Sequence, residues 1–458
     1  MRTSSTRHRG RRAAASAALG LLLVTAAGTT AHAESTREKQ WFLDVMKAEQ
    51  MWQSSTGEGV TVAVIDSGVD PNNPDLKGRI LPGKDLAPDQ PGDEHTDYEG
   101  HGTGMAGLIA GTGAYGGGNG AFGLAPGAKI LPIRLPNTDT AANLAEAEQH
   151  FNKAVAPAIR YAADKGAKVI NISQAATEGS PQLTAAVKYA LDKGSLIFAG
   201  VGNDGDKANE VMYPAATPGV VGVAAVGKDL RRTAESEYGP QVDMAAPGED
   251  MVHACGSETG LCRGHGTSDA TALASASAAL IWSVHPDWTN NQVLRVMLNT
   301  IGGPTDGAKR NDSIGYGIVR PRIALQNPGD PGPADVYPLP DLAAAEPKSP
   351  SPQASGTSDE GAPAKEDDTA AEASAASTND GALWTTLGIG AAALLAAAIA
   401  VTTVLRRRRT PAAPLPAPAP APVPGQFPHP TAGFTVPPPT PPEAPGSATR
   451  PGQGPGPI

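Results

Sequence analysis

Short apolar runs rich in β-branched residues alternate with longer segments of helical periodicity through the first half of this chain. The strand-like runs cover residues 60–66, 130–135, 168–173, 196–201 and 220–226. The intervening segments include residues 141–165 and 182–193, each followed by the glycine that is typical after a helix C-terminus. This alternation predicts an α/β domain in which a parallel sheet is covered by helices on both faces.

Polar side chains lie at or just beyond the ends of three of these strand-like runs. Asp66 ends the first run, Ser173 ends the third, and Asn203 follows the fourth. In open parallel sheets, ligands bind beyond the carboxyl ends of the strands. The sequence therefore predicts that these three residues share one site.

Two glycine-flanked motifs add a base and a nucleophile to this set. His101 lies in Gly-His-Gly-Thr, and Ser268 lies in Gly-Thr-Ser-Asp-Ala, ahead of a small-residue apolar run that predicts a buried helix. A serine hydroxyl needs a base, an imidazole base needs an orienting acid, and an oxyanion needs donors. Taken singly, each residue is equally compatible with a turn or a helix cap. The order Asp66, His101, Ser268, with Asn203 between the last two, favours a catalytic set.

These motifs resemble the subtilisin-like serine peptidases across residues 41–327. The layout of the whole chain is similar to the mycosins, which are membrane-anchored subtilases associated with type VII secretion in actinobacteria. The resemblance implies that Asp66, His101 and Ser268 form the catalytic triad and that Asn203 contributes to the oxyanion hole.

A second implication of the resemblance concerns the pocket for the substrate side chain before the cut. One wall of that pocket corresponds to Ser173, Gln174, Ala175 and Ala176. Many relatives have Ser-Leu-Gly-Gly here. Alanine in place of glycine narrows the pocket, so a small or medium side chain is expected.

The residue after the serine also departs from the family pattern. Relatives usually have Met or Phe followed by Ala-Ala-Pro, whereas this chain has Asp269 followed by Ala-Thr-Ala. One interpretation places this carboxylate near His101, where it would raise the pKa of the imidazole. The other, which the sequence favours slightly, places it in solvent or against the first helical turn. The remaining histidines are interpreted as surface or structural residues, with His265 as the alternative candidate for lining the site.

Residues 1–33 are predicted to be an export signal. Several arginines precede a small apolar stretch at residues 13–27, and Ala31-His-Ala33 is a small-x-small cleavage site. The general export route is favoured over the twin-arginine route, and an uncleaved N-terminal anchor is the alternative.

A second apolar stretch, residues 383–405, is predicted to cross a membrane. It carries no charge and is followed at once by four arginines at 406–409. Such positive residues stay on the cytoplasmic side. The sequence thus predicts a peptidase domain at residues 34–327 outside the membrane, an acidic flexible stalk at 328–382, and a Pro-rich cytoplasmic tail at 406–458. An N-terminal arm is expected to pack on the domain through Trp41, Phe42, Leu43, Met46, Met51 and Trp52.

Cys255 and Cys262 are the two cysteines of the chain. In an exported domain a disulfide is the expected state, and two free thiols are the alternative. Two cysteines make a poor zinc ligand set, and no metal or cofactor is predicted.

The net charge of −10 argues against nucleic-acid binding. The expected partners are a polypeptide substrate, the membrane and subunits of a secretion complex.

The leading hypothesis is a membrane-tethered serine endopeptidase that acts through an acyl-enzyme. The alternative is a weakly active or inactive scaffold of the same fold in a secretion complex. An esterase is disfavoured because the nucleophile motif is not Gly-x-Ser-x-Gly.

Overall fold

The computed structural model describes residues 34–256 and 259–345. The helices are α1 Thr36–Lys39, α2 Trp41–Met46, α3 Ala48–Trp52, α4 His101–Ala110, α5 Tyr115–Gly118, α6 Leu144–Asp164, α7 Pro181–Asp192, α8 Thr267–Val284, α9 Asn290–Asn299, α10 Pro321–Gln326 and α11 Pro340–Ala345. The strands are β1 Thr61–Asp66, β2 Lys84–Asp85, β3 Lys129–Arg134, β4 Val169–Ile172, β5 Leu196–Gly200, β6 Val221–Val226, β7 Met244–Pro247, β8 Met251–Ala254 and β9 Leu261–Gly264. Two 3₁₀ turns cover Pro74–Leu76 and Thr138–Thr140.

Seven strands form one sheet in the order β2-β3-β1-β4-β5-β6-β7, and every neighbouring pair is parallel. β1 lies near the middle, where Ile65 is level with Ile133 of β3 and Ile172 of β4. The carboxyl ends of β1 and β4 therefore lie side by side. These strands are the apolar runs that were predicted to end in Asp66 and Ser173, so the two residues lie close to each other at one end of the sheet.

Alternate side chains of the strands enter two separate apolar clusters. Val62 and Val64 of β1 belong to the cluster that includes α4 and α8. Ala63 and Ile65 belong to the cluster that includes α6 and α7. Burial on both faces explains why the strands are apolar throughout. The prediction of a parallel α/β sheet covered on both faces is confirmed.

Helix α8 runs through the centre of one of these clusters. Its side chains from residue 267 to 282 are buried with the exception of Ser268, and most are alanine, serine or threonine. Buried hydroxyls along the helix are satisfied, as when Ser275 donates to the side chain of Asn171 at 3.0 Å. A helix that is apolar all round is stable only inside a protein. Its packing holds the N-terminal residues, including Ser268, against the sheet edge.

The antiparallel hairpin β8–β9 was not predicted. Its strands are four residues long and carry polar residues among apolar ones. So short a run does not establish a period of two. The hairpin packs on α4 and brings His253 of β8 into the interior, where it is 6% exposed.

The N-terminal arm forms part of the domain core. Phe42 and Leu43 are fully buried, and Met46 and Met51 are nearly so. The side-chain nitrogen of Gln40 donates to the carbonyls of Phe122 and Val252 at 2.8 and 3.0 Å. Trp41 and Trp52 pack on the same cluster and donate to backbone carbonyls.

The boundary predicted between the domain and the stalk at residue 327 is too early. Arg295 donates to the carbonyls of Pro331 and Pro333 at 2.7 and 2.9 Å, and Leu339 is 2% exposed. Asp341 of α11 accepts from the backbone nitrogen of Gly219 at 2.7 Å. Composition predicted a stalk because the segment has almost no large apolar residue, but the carbonyls of its first residues accept hydrogen bonds from side chains of the domain.

Predictions for the two ends of the chain concern residues outside the described part. The predicted signal at 1–33 and the predicted span at 383–405 both lie there, as do the predicted tail and most of the predicted stalk. Among the helices described between residues 34 and 345, none has the length and hydrophobicity needed to cross a bilayer.

Candidate active site

An acid and a base are paired at the carboxyl end of β1. Asp66 is fully buried, and its Oδ1 lies 2.7 Å from Nδ1 of His101. A carboxylate only accepts hydrogen bonds, so Nδ1 carries the proton. The other ring nitrogen, Nε2, is thereby left as the basic atom of the neutral imidazole.

Glycines allow this pairing. Helix α4 begins at His101, directly after Gly100, whose φ of 81° lies in the left-handed region. A Cβ at Gly102 would lie 2.1 Å from the carbonyl oxygen of Gly68 and 3.2 Å from Cβ of Asp66. Only glycine lets the first turn of α4 approach the end of β1 this closely.

Asp97 organises the loop in front of His101, a role that the sequence did not indicate. Its Oδ1 accepts from the hydroxyl of Ser67 at 2.7 Å and from the backbone nitrogen of Gly100 at 2.8 Å. Its Oδ2 accepts from the backbone nitrogen of Thr103 at 2.7 Å. The carboxylate thus ties the residue after Asp66 to the start of α4. An aspartate four residues before a histidine carries no recognisable motif, so sequence inspection had little chance of finding it.

Ser268 lies in the first turn of α8, beside the end of β4. Its hydroxyl donates to the carbonyl of Ser173 at 3.1 Å, and the hydroxyl of Ser173 donates to the carbonyl of Ser268 at 3.2 Å. Two reciprocal hydrogen bonds therefore join these serines, which are distant in sequence. The structure therefore places Ser268 next to Ser173, the first residue of the predicted pocket wall. The Ser268 hydroxyl is hydrogen-bonded to the Ser173 carbonyl.

Asn203 is anchored to the same helix start. Its Oδ1 accepts from the backbone nitrogen of Thr267 at 2.9 Å and from the Thr267 hydroxyl at 3.1 Å. Because the oxygen is occupied, the amide NH₂ is the group left to donate to a ligand. Gly266 has a φ of 115°, and a Cβ there would lie 2.9 Å from the Asn203 oxygen. A side chain at position 266 would therefore disturb this anchor.

Residues 173–176, which are predicted to form one wall of the substrate pocket, directly follow β4. Ser173, Gln174 and Ala175 are partly exposed, while Ala176 is 1% exposed. Ala176 exchanges two backbone hydrogen bonds with Tyr213, at 2.9 and 2.8 Å. This bridge fixes the backbone at the far end of the wall.

The electrostatic environment makes His101 a strong base. Burial lowers the pKa of the imidazole, but the charge and hydrogen bond of Asp66, with the charges of Glu99 and Asp269, outweigh burial and raise the pKa to about 9. An opposite charge close to an imidazolium favours the protonated form. The neutral ring is consequently the minor form at pH 7.

Asp269 does not face solvent, so the structure excludes one of the two placements in the slightly favoured interpretation and leaves the other, against the first turn of α8. It is 2% exposed, and its Oδ1 lies 3.8 Å from Nε2 of His253. Burial raises the pKa of the Asp269 carboxyl, while His253, His101 and His265 act in the opposite direction. His253, interpreted from sequence as a surface or structural residue, is a buried neighbour of the nucleophile's helix. The sequence gave no signal for this, because the hairpin that carries His253 was not predicted.

His265 borders a cavity beside His101, as the alternative interpretation proposed. Its Nδ1 lies 2.8 Å from a carboxylate oxygen of Glu235, which raises the pKa of this imidazole through the hydrogen bond and the charge. The side chain is 70% exposed, so it marks the rim of the cavity.

Cys255 and Cys262 are joined by a disulfide, with Cα atoms 5.7 Å apart. The bond closes the loop between β8 and β9. It thereby fixes the ends of the hairpin that carries His253.

A parallel sheet with an acid–histidine pair and a helix-borne serine at one edge defines a subtilisin-like serine hydrolase fold. The chain belongs to the subtilase family, whose sequence profile matches residues 57–317. Curated relatives include an intracellular serine protease of Paenibacillus polymyxa, 33% identical over 46% of this chain and 63% of the relative. Thermitase of Thermoactinomyces vulgaris is 34% identical over 46% of this chain and 70% of the relative.

Solved structures extend the comparison to mycosins. MycP3 protease from the type VII (ESX-3) secretion system is 34% identical, with a TM-score of 0.55 over 65% of this chain and 90% of that one. MycP1 from Mycobacterium smegmatis is 29% identical, with a TM-score of 0.56 over 65% and 86%. A chain in the periplasmic assembly of the ESX-5 inner membrane complex is 28% identical, with a TM-score of 0.56 over 71% and 91%. The chain is thus a subtilase related to the mycosins of type VII secretion systems.

Proposed function

We propose that this chain is a serine endopeptidase with Asp66, His101 and Ser268 as its triad. The observation that carries the proposal is the 2.7 Å hydrogen bond between Asp66 and His101, at the same sheet edge as the helix start that bears Ser268. An imidazole oriented by a buried acid beside a serine is the arrangement needed for acyl transfer.

In the proposed reaction, the Ser268 hydroxyl gives up its bond to the Ser173 carbonyl and passes its proton to Nε2 of His101. Its oxygen attacks the carbonyl carbon of the scissile peptide. The amide of Asn203 and the backbone N–H groups at the start of α8 stabilise the resulting oxyanion. His101 then returns the proton to the leaving amine, and an acyl-enzyme forms. Water then attacks the acyl carbon while Nε2 of His101 takes its proton; the bond to the Ser268 oxygen breaks, the proton returns to that oxygen, and the carboxylic acid product leaves.

The proposed site of action is the outer face of the cytoplasmic membrane, in association with a type VII secretion complex. The predicted signal, the predicted span at 383–405 and the similarity to a chain of the ESX-5 periplasmic assembly support this part of the proposal. The wall at Ser173, Gln174, Ala175 and Ala176 is proposed to receive the side chain before the cut.

A fluorophosphonate probe tests the catalytic proposal. The parent chain is expected to be labelled at Ser268 at alkaline pH, and Ser268→Ala is expected to remain unlabelled. Labelling requires an activated serine and no knowledge of the substrate. A parent chain that is folded and stays unlabelled at pH 9 to 10 would exclude the peptidase.

The second candidate function is a scaffold of low or absent activity in a secretion complex. The observation in its favour is the buried Asp269 beside the nucleophile, which helps to keep His101 protonated at neutral pH. Complementation separates the two functions. Ser268→Ala restores secretion in a deletion strain if the role is structural, and fails to restore it if proteolysis is required.

A further inference from the structure

A cavity of about 530 Å³ lies beside His101, between the start of α4 and the β8–β9 hairpin. Asp269, His253 and Glu99 border it, and no residue of the 173–176 wall does so. The cavity therefore lies next to the reacting groups and is separate from the predicted wall at residues 173–176.

One carboxylate oxygen at this cavity is buried without a hydrogen-bond donor. Asp269 is 2% exposed, and its Oδ1 has no hydrogen-bond partner among the described residues. An unsatisfied buried carboxylate oxygen is costly. Asp97 borders the same cavity, but both of its oxygens accept backbone or hydroxyl donors. Asp97 is thus committed to the fold, whereas Asp269 has a free acceptor.

Nε2 of His253 is a second hydrogen-bond acceptor close to Oδ1 of Asp269. Its Nδ1 lies 2.9 Å from the carbonyl of Ala254 and, because a carbonyl only accepts, carries the proton of the neutral ring. In this neutral form Nε2 carries the lone pair, and Nε2 lies 3.8 Å from Oδ1 of Asp269. Two acceptors at this separation repel each other unless a hydrogen-bond donor lies between them. A cationic N–H group satisfies both and also compensates the charge of the carboxylate.

The backbone leaves room for such a group. A Cβ at Gly264 would lie 2.7 Å from both Oδ1 of Asp269 and Nε2 of His253. Glycine at this position therefore keeps the space beside the two acceptors open. Arg263 also borders the cavity, but its guanidinium is paired with Asp250.

We propose that Asp269 and His253 form a subsite for a basic side chain, lysine or arginine, of the polypeptide substrate next to the bond that is cut. This subsite rests on the proposed function, since it treats His101 and Ser268 as the reacting groups. The negative charge of Glu99 on the cavity border adds to the attraction. The competing explanation is that Asp269 only stabilises the positive end of α8.

Matched peptides test the subsite on the purified full chain. Internally quenched peptides carry either lysine or the uncharged norleucine at each position flanking the cut. At one position we expect kcat/KM to favour lysine by about tenfold or more, the range for a hydrogen bond to a charged group. Asp269→Asn should reduce this ratio to near one. Asp89→Asn removes the same charge from an exposed site outside the cavity and should leave the ratio intact.

Equal rates for both peptides at every position in the parent would overturn the subsite, as would a lysine preference that survives Asp269→Asn. If Asp269→Asn does not fold, His253→Gln serves as the second variant, and it should also reduce the preference. A lysine preference unchanged by that variant would likewise count against the pair.

A binding measurement separates this proposal from the catalytic one. In Ser268→Ala, the lysine peptide should bind more tightly than the norleucine peptide, and the difference should vanish when Asp269→Asn is added. Absence of fluorophosphonate labelling in the parent would refute the peptidase while leaving this difference measurable. Equal affinities in Ser268→Ala would refute the subsite even in an active peptidase.

Discussion

Asp269 links the nucleophile to the base, because it follows Ser268 in the chain and its charge helps to raise the pKa of His101 to about 9. The working base is the neutral imidazole, so kcat/KM should rise with pH through this pKa. Removing a neighbouring negative charge lowers the pKa of an imidazolium. In Asp269→Asn the acidic limb of the kcat/KM profile should therefore move to lower pH.

The control for this shift is Asp89→Asn, which removes an exposed charge outside the cavity. Its profile should overlay that of the parent. A profile of Asp269→Asn that also overlays the parent would show that the carboxylate does not act on His101. Fluorophosphonate titration of active sites corrects each profile for the folded fraction.

Asn203 combines two roles that substitution can separate. Its oxygen holds the backbone nitrogen of Thr267 at 2.9 Å, and its NH₂ is the proposed oxyanion donor. Asn203→Ala should lower kcat by about 10²–10³ with a smaller effect on KM, as loss of one oxyanion donor does. Steady-state kinetics on a peptide substrate measure both constants.

Asn203→Asp is the informative comparison, because it keeps an oxygen for Thr267 and loses the donor. We expect it to be at least as impaired as the alanine variant. Near-parental kcat in Asn203→Asp would mean that the residue only anchors the start of α8.

At the level of single residues, the sequence identified groups that carry their own local motif. Asp66 ends an apolar run two residues before Gly68, His101 lies between two glycines, and the two side chains meet at 2.7 Å. The pair of Asp269 and His253 was missed, because it depends on a hairpin packing against two helices. A local motif does not encode such a contact.

Among the secondary-structure elements, the first turn of α4 decides where the base lies. A Cβ on Gly102 would stand 2.1 Å from the Gly68 carbonyl, so α4 and β1 must move apart in Gly102→Ala. A displacement of about 1 Å in a catalytic group costs about 10²-fold in rate. We expect kcat/KM to fall by about that factor, together with a lower melting temperature.

Gly303→Ala is the matched control for this substitution, since the nearest heavy atom to its Cβ would be 3.7 Å away. It should retain the activity and melting temperature of the parent. Full activity in Gly102→Ala would show that the helix start tolerates displacement and that the close approach is not required.

The strands that were predicted correctly are those that form a nearly continuous apolar run. β1, β3, β4, β5 and β6 are buried on both faces and stand out as apolar runs. β8 and β9 are as long as β4 but mix polar residues with apolar ones, and β2 has only two residues. The position of these short strands is determined by tertiary packing and not by local pattern, so the sequence offered no basis for them.

In the molecule as a whole, the N-terminal arm is part of the core and not an appendage. Phe42 is fully buried in the cluster that contains α4 and α8. Phe42→Ala should lower the free energy of unfolding by about 3–5 kcal/mol, the usual cost of removing a buried aromatic ring. Denaturant unfolding of the full chain measures the change.

Val45, in the same helix, is 50% exposed and supplies the control. Val45→Ala should change the free energy of unfolding by no more than about 0.5 kcal/mol. If Phe42→Ala proved equally mild, the arm would be loosely attached and dispensable for the stability of the domain.

The proposed location outside the membrane depends on residues 383–405, an apolar stretch that would reach about 35 Å as a helix and is followed by four arginines. Deleting residues 383–458 should therefore move the protein from the membrane fraction to the culture medium. The peptidase domain retains all the site residues, so activity on a soluble peptide should be unchanged. Replacing residues 406–409 with alanine tests orientation separately and should weaken the preference for a cytoplasmic C-terminus. A deletion variant that remains in the membrane fraction would place the attachment elsewhere, with an uncleaved segment at residues 1–33 as the first candidate.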